Sequence, residues 1–121
     1  MRLKFKLDPQ GTGFICNFVL SKRYSGPPGH CHGGIIATIL DDAMSKLNRL
    51  RSVVAATAKL QIDYLKPVPL GTRLRVVSRE ITKRGRTLIR TAEIVNQQGT
   101  VLARGRGVFI VINPGHAFSR K

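Results

Sequence analysis

Apolar residues recur along this chain in two rhythms, and where one gives way to the other sets the architecture. From Gly33 to Leu50, Ile36, Leu40, Ala43, Leu47 and Leu50 fall at helical spacing, with Ile39 and Met44 beside them. This pattern predicts one long helix over about 33–50. Before it, Phe14-Ile15 and Phe18-Val19-Leu20 predict a strand over about 12–21, closed by the breaker cluster Ser25-Gly26-Pro27-Pro28-Gly29. After it, strand patterns run at Val53 to Leu65, Thr72 to Thr82, Arg86 to Asn96 and Thr100 to Ile112. In the first of these, Ala58, Leu60, Ile62 and Tyr64 alternate with Thr57, Lys59, Gln61 and Asp63, which predicts an apolar face with Tyr64 in the core. Pro67 and Pro69 end that strand. Arg84-Gly85 and Gln97-Gln98-Gly99 stand where tight hairpins would join the last three strands. The tail from Asn113 to Lys121 reads as a poorly ordered end.

One strand, one helix and four further strands describe an α+β domain, an antiparallel sheet covering one face of a single helix. With 121 residues, residues 1–121 form a single domain with room for one core. No apolar run reaches the eighteen or so residues of a membrane span. The start, Met1 to Leu7, lacks the apolar stretch and small-residue site of a secretory signal, so the expectation is a cytoplasmic protein with no membrane partner. Cys16 and Cys31 read as free thiols, because a chain of this size needs no disulfide framework.

On a helical wheel the predicted helix has three faces. Ile36, Ile39, Leu40, Ala43, Leu47 and Leu50 form the stripe that is buried, and Asp42, Lys46 and Arg49 gather on a charged face. Gly34, Thr38, Asp41, Ser45 and Asn48 form a third face of small or short polar residues, where another surface can come close. The helix starts at His32-Gly33-Gly34, where backbone N–H groups lack intrahelical partners and the dipole favours negative charge. Two glycines let a ligand approach that backbone, and such donors can stabilise an oxyanion.

Here the chain resembles a known family. His32-Gly33-Gly34-Ile35-Ile36-Ala37-Thr38-Ile39-Leu40-Asp41 resembles the HGG-x6-D signature of hotdog-fold thioesterases of the phenylacetate-pathway (PaaI-like) type, within the 4-hydroxybenzoyl-CoA thioesterase superfamily. Gly26-Pro27-Pro28-Gly29 upstream and the strand from Thr57 through Tyr64 to Pro67 and Pro69 downstream are similar to one branch of it. The resemblance implies a hotdog fold, one long helix wrapped by about five antiparallel strands, and hydrolysis of acyl-CoA without a cofactor or metal. It places the catalytic carboxylate on Asp41, as general base or nucleophile, and the oxyanion donor on the N–H of Gly33. His32 then shapes the helix entrance, Gly34 lies against substrate, and the Thr57 hydroxyl sits near the carboxylate. Many relatives carry Asn or Gln shortly before the HGG; this chain has its Pro-Gly loop there. The resemblance also implies a homodimer or a dimer of dimers. Helix geometry agrees, because eight residues separate Gly33 from Asp41, about 12 Å along the axis, too far for both to act on one carbonyl.

The formal charge of +15, from 21 Lys and Arg against 6 Asp and Glu, points to anionic partners. Coenzyme A carries phosphates, and Lys83, Arg84, Arg104 and Arg106 are candidates to bind them. Nucleic acid is disfavoured, since two Tyr, five Phe and no Trp make a poor stacking platform. Asp42 reads as a surface carboxylate paired with Lys46 at i, i+4. His30, Cys31 and His32, completed by Cys16 or His116, would make a zinc site only with ligands too close along the chain to share one ion. The alternative to an enzyme is a hotdog module that binds acyl-CoA as a regulator without hydrolysing it.

Overall fold

A computed structural model of the protein describes residues 3–26 and 30–112. Part of the Pro-Gly loop (27–29), the tail from Asn113 and with it His116 lie outside the described residues. In chain order the elements are β1 (Lys6–Leu7), β2 (Gly13–Val19), a 3-10 turn (Lys22–Tyr24), β3 (Ser25–Gly26), β4 (His30–Cys31), α1 (Gly33–Ser45), α2 (Asn48–Arg51), β5 (Val54–Tyr64), β6 (Arg73–Arg84), β7 (Thr87–Val95) and β8 (Val101–Ile112). The main sheet has the order β1-β2-β6-β7-β8-β5, and every neighbouring pair is antiparallel. The five expected strands are all there. Two-residue β1 makes a sixth, and β3 with β4 forms a small separate ladder ahead of the helix. Gly85 and Gly99 turn the two predicted hairpins with φ of 56° and 84°, values that side-chain-bearing residues seldom adopt.

The sheet wraps α1. Ile36, Ile39, Leu40, Ala43, Met44 and Leu47 are buried against alternate residues of the strands, among them Val76, Leu88, Ala92, Ile94, Ala103 and Phe109. Two glycines on β8 let the helix come this close. A Cβ on Gly105 would lie 3.2 Å from Leu40 Cβ and Met44 Cε, and one on Gly107 would lie 2.6 Å from Phe109 Cε1.

The predicted helix is broken in two. After Ser45 the backbone bonds shorten to i→i−3, from Leu47 N to Met44 O and from Leu50 N to Leu47 O, and the short helix α2 follows. Leu50, expected in the buried stripe, is consequently 40% exposed. The break is held by Arg90, an arginine of β7 that has no exposed surface. Its Nη1 donates to Met44 O at 3.2 Å and to Asn48 Oδ1 at 2.6 Å, and its Nε donates to Glu80 Oε1 at 3.3 Å. The guanidinium stacks 4.7 Å above the Phe109 ring. A charge stands at an inward strand position because the last carbonyls of α1 need a donor there. Asn48, placed by the sequence on the small face, is used in this joint and also donates to Ala55 O at 3.2 Å.

Gly107→Val should destabilise the protein by about 1–3 kcal/mol, the usual cost of overpacking a filled core. Urea denaturation measures it; an unchanged midpoint would mean that the seat of α1 has slack.

Candidate active site

The approach to α1 is fixed before the helix begins. Cys31 N donates to Val68 O at 2.9 Å and His32 N to Tyr24 O at 2.8 Å, which pins β4 between the 3-10 turn and the segment after β5. His32 is the N-cap. Its Nδ1 accepts from Gly34 N at 3.0 Å, and its carbonyl accepts from Ile35 N at 3.0 Å and Ile36 N at 3.3 Å. Gly34 leaves room for this cap, since a Cβ there would make a tight 3.3 Å contact with His32 Nδ1. The Gly33 N–H is left with no partner among the described residues, at the positive end of the helix dipole.

Two turns along α1, half-buried Asp41 accepts a hydrogen bond at Oδ1 from Thr57 Oγ1, 3.0 Å away on β5. Simple alternation put Thr57 on the opposite face from Leu60, Ile62 and Tyr64. The strand has a bulge between Thr57 and Lys59: Thr57 pairs with inward-facing Phe109, whereas Lys59 pairs with Val108. One extra residue at Ala58 thus turns Thr57 toward the helix while Leu60, Ile62 and Tyr64 stay on that side.

Tyr64 departs from expectation. It is 55% exposed instead of lying in the core, because it stands at the end of β5 beside the first turn of α1, beyond the buried stripe. Its hydroxyl donates to Gly33 O at 2.9 Å. The ring lies 3.5–3.6 Å from where a Cβ on Gly33 would be. Tyr64, Gly33, Ile36, His30 and Cys31 line an open cleft of about 290 Å³ together with residues 65–68. A larger groove of about 710 Å³ lies over Asn17, Arg73, Arg75 and Asn96, and it includes neither Asp41 nor Gly33.

The other sequence candidates are dispersed. Arg104 and Arg106 alternate with the inward-facing glycines of β8, so they lie on the sheet face away from α1; Arg104 Nε is 3.0 Å from Glu93 Oε2. Lys83 and Arg84 are exposed at the β6–β7 hairpin, paired with Leu88 and Thr87. Asp42 is exposed on the flank of α1. Its partial burial and then the neighbouring Asp41 charge push its carboxyl above the ordinary value, against a lowering influence from Lys46. Lys46 extends over the Phe5 ring, 5.8 Å from its centroid, and acts on Asp42 as a nearby charge. Among the described residues no three His, Cys, Asp or Glu side chains gather as metal ligands. Cys16 and Cys31 are unpaired buried thiols, each raised by desolvation.

A carboxylate held by a hydroxyl, and an N–H without a partner among the described residues at the start of the same helix, are the two kinds of group that acyl chemistry uses. The model of the thioesterase superfamily matches residues 28–103, which include Gly33, Asp41, Thr57 and Tyr64. The chain belongs to this superfamily. It is 29% identical to the acyl-coenzyme A thioesterase THEM4 of Xenopus laevis, over 89% of this chain and 55% of that protein, so it spans about half the length of that relative. The BH2602 protein of Bacillus halodurans, solved with CoA, superposes with a TM-score of 0.78 at 28% identity, over 91% of this chain and 74% of that one. The E. coli PaaI protein of the phenylacetic acid degradation operon shares the fold, with a TM-score of 0.78 at 24% identity over 84% of this chain and 73% of its own. The thioesterase superfamily fold is therefore the hotdog, with one helix seated in an antiparallel sheet. No helix among the described residues is long and apolar enough to cross a membrane.

Because Asp42 has a raised carboxyl in the fold, its ionised form opposes folding once the pH passes the unfolded value near 3.9. Asp42→Asn should therefore be more stable than the parent at pH 7, and the gain should vanish below about pH 3.5, where both states of the parent are protonated. Thermal melts across pH check this; a gain that persists in acid would assign it to another cause.

Proposed function

We propose that this protein is an acyl-CoA thioesterase whose active site is completed by a second copy of the chain. The observation that carries this reading is a Gly33 N–H without a partner among the described residues together with a Thr57-held Asp41 along one flank of α1. The family membership, the CoA-thioesterase relatives and the CoA-bound neighbour support the substrate class.

The substrate carbonyl oxygen accepts the Gly33 N–H, whose pull grows as the oxygen becomes negative. Asp41 takes a proton from water, and the water oxygen bonds to the carbonyl carbon. Thr57 donates to Asp41 and keeps lone pairs to hold that water. As the tetrahedral intermediate collapses, the C–S bond breaks, the acid is released and the CoA sulfur leaves with the proton. His32 fixes the donor end through its cap, and Gly34 keeps the surface low beside the substrate. Lys83, Arg84 and Arg106 are free to meet the CoA phosphates, and Arg104 can do so by exchanging Glu93.

Gly33 and Asp41 lie about 12 Å apart on one helix, so the carboxylate serving a given Gly33 comes from another subunit. The edge position of β5 supports this. It ends the sheet, and Leu60 and Tyr64 are 40% and 55% exposed. Pairing two copies antiparallel along such an edge satisfies its backbone groups and sets two α1 helices side by side in opposite directions, with two equivalent sites.

Asp41→Asn should preserve fold and CoA-ester binding while lowering kcat by about 10²–10⁴, with Asp42→Asn nearly unaffected. Thiol release and direct binding are measured on each. A parent that binds esters and hydrolyses none would instead be the acyl-CoA-binding regulator.

Mixed dimers test the shared site. Gly33→Pro removes the N–H at the first helical position, where proline is tolerated. Each variant alone should keep about 1% of parent activity or less, while co-refolded Gly33→Pro and Asp41→Asn chains should regain about a quarter of it, since random pairing gives half mixed dimers with one intact site each. No recovery would place both groups in one subunit's site.

A further inference from the structure

Tyr64 spends its hydroxyl on the backbone of the turn that holds the proposed oxyanion donor. Half of the residue is exposed, so core packing does not account for it. The Gly33–Gly34 peptide is gripped at both ends: its oxygen accepts from Tyr64 at 2.9 Å, and its N–H donates to His32 Nδ1 at 3.0 Å. The preceding His32–Gly33 peptide has its oxygen tied to Ile35 and Ile36, and its N–H has no partner among the described residues. Two successive glycines give this turn the loosest backbone available to a chain, so the direction of the Gly33 N–H depends on what clamps its neighbours.

We infer that Tyr64 is a positioning residue, which aims the Gly33 N–H by fixing the Gly33–Gly34 peptide from β5; this rests on the thioesterase reading above. The phenol ring lies 3.5–3.6 Å from where a Gly33 Cβ would stand and the hydroxyl bonds the Gly33 carbonyl, so ring and hydroxyl have separable tasks. Losing an oxyanion donor outright lowers kcat by about 10²–10³, and misaiming it forfeits part of that.

Tyr64→Phe keeps the ring and removes only the hydroxyl. Its kcat for acyl-CoA hydrolysis should fall about 5- to 30-fold with KM within about twofold, since the ground-state carbonyl gains less from the donor than the transition state does. In the Gly33→Pro background, where no donor remains to be aimed, Tyr64→Phe should produce no further loss, an extreme non-additivity that a general structural role would not give. Tyr64→4-aminophenylalanine, which restores a donor on the ring, should recover most of kcat, and it carries the test should Tyr64→Phe fail to fold. Unchanged kcat in a folded Tyr64→Phe, a change confined to KM, or independent losses in the double variant would each overturn the inference while an inactive Asp41→Asn left the thioesterase reading standing. Full turnover in Asp41→Asn would overturn both.

Discussion

The seating of α1 inside the curved sheet is the constraint from which the other features follow. Ile39, Leu40, Ala43 and Met44 have no exposed surface. Each large apolar side chain so buried contributes about 1.5–3 kcal/mol to stability. Burying it fixes the helix in both rotation and height. Gly105 and Gly107 set the height, since either with a side chain would strike Leu40, Met44 or Phe109. Arg90 sets where the helix stops, by answering the carbonyl of Met44 and holding Asn48. Once these are fixed, Gly33 and Asp41 have no freedom to choose where they stand.

The flank of α1 not taken by the core is met by β5, the strand at the sheet edge. This one strand touches both chemical ends of the helix, through Thr57 to Asp41 and through Tyr64 to Gly33. A strand with regular alternation could not present both, because the two positions differ in parity. The bulge at Ala58 removes the conflict. It is the kind of local irregularity expected where a strand must aim a particular side chain, and here it falls beside the carboxylate.

Carboxylates are scarce in this protein, six against 21 Lys and Arg, and half of them have a structural task. Glu80 bonds Arg90, Glu93 bonds Arg104, and Asp8 closes a turn onto Thr12, whose N–H and neighbouring amides hold its carboxyl low. Asp41 differs, because its hydrogen-bond partner is a neutral hydroxyl and no cation among the described residues lies within ion-pairing distance.

The sequence by itself determined the elements and their kind. Helical spacing from Ile36 to Leu47, alternation in the later strands and glycines at 85 and 99 are local signals, each written in residues a few positions apart. The HGG-x6-D run was legible for the same reason, since helix geometry alone sets the separation of Gly33 and Asp41. Only the tertiary structure decided what depends on contacts between distant segments. Leu50 satisfies the helical pattern but is carried away from the core by the break that Arg90 and Asn48 maintain, 42 residues apart in sequence. Tyr64 satisfies the strand pattern but ends beside Gly33, 31 residues earlier, where it stays half exposed. Arg90 reads as a surface charge until the helix end above it is seen to need a donor. Thr57 was placed on its site residue by family likeness, against its own alternation. The bulge that reconciles the two carries no residue signature, because it is fixed by the register of β5 against β8 and by the helix that both strands enclose.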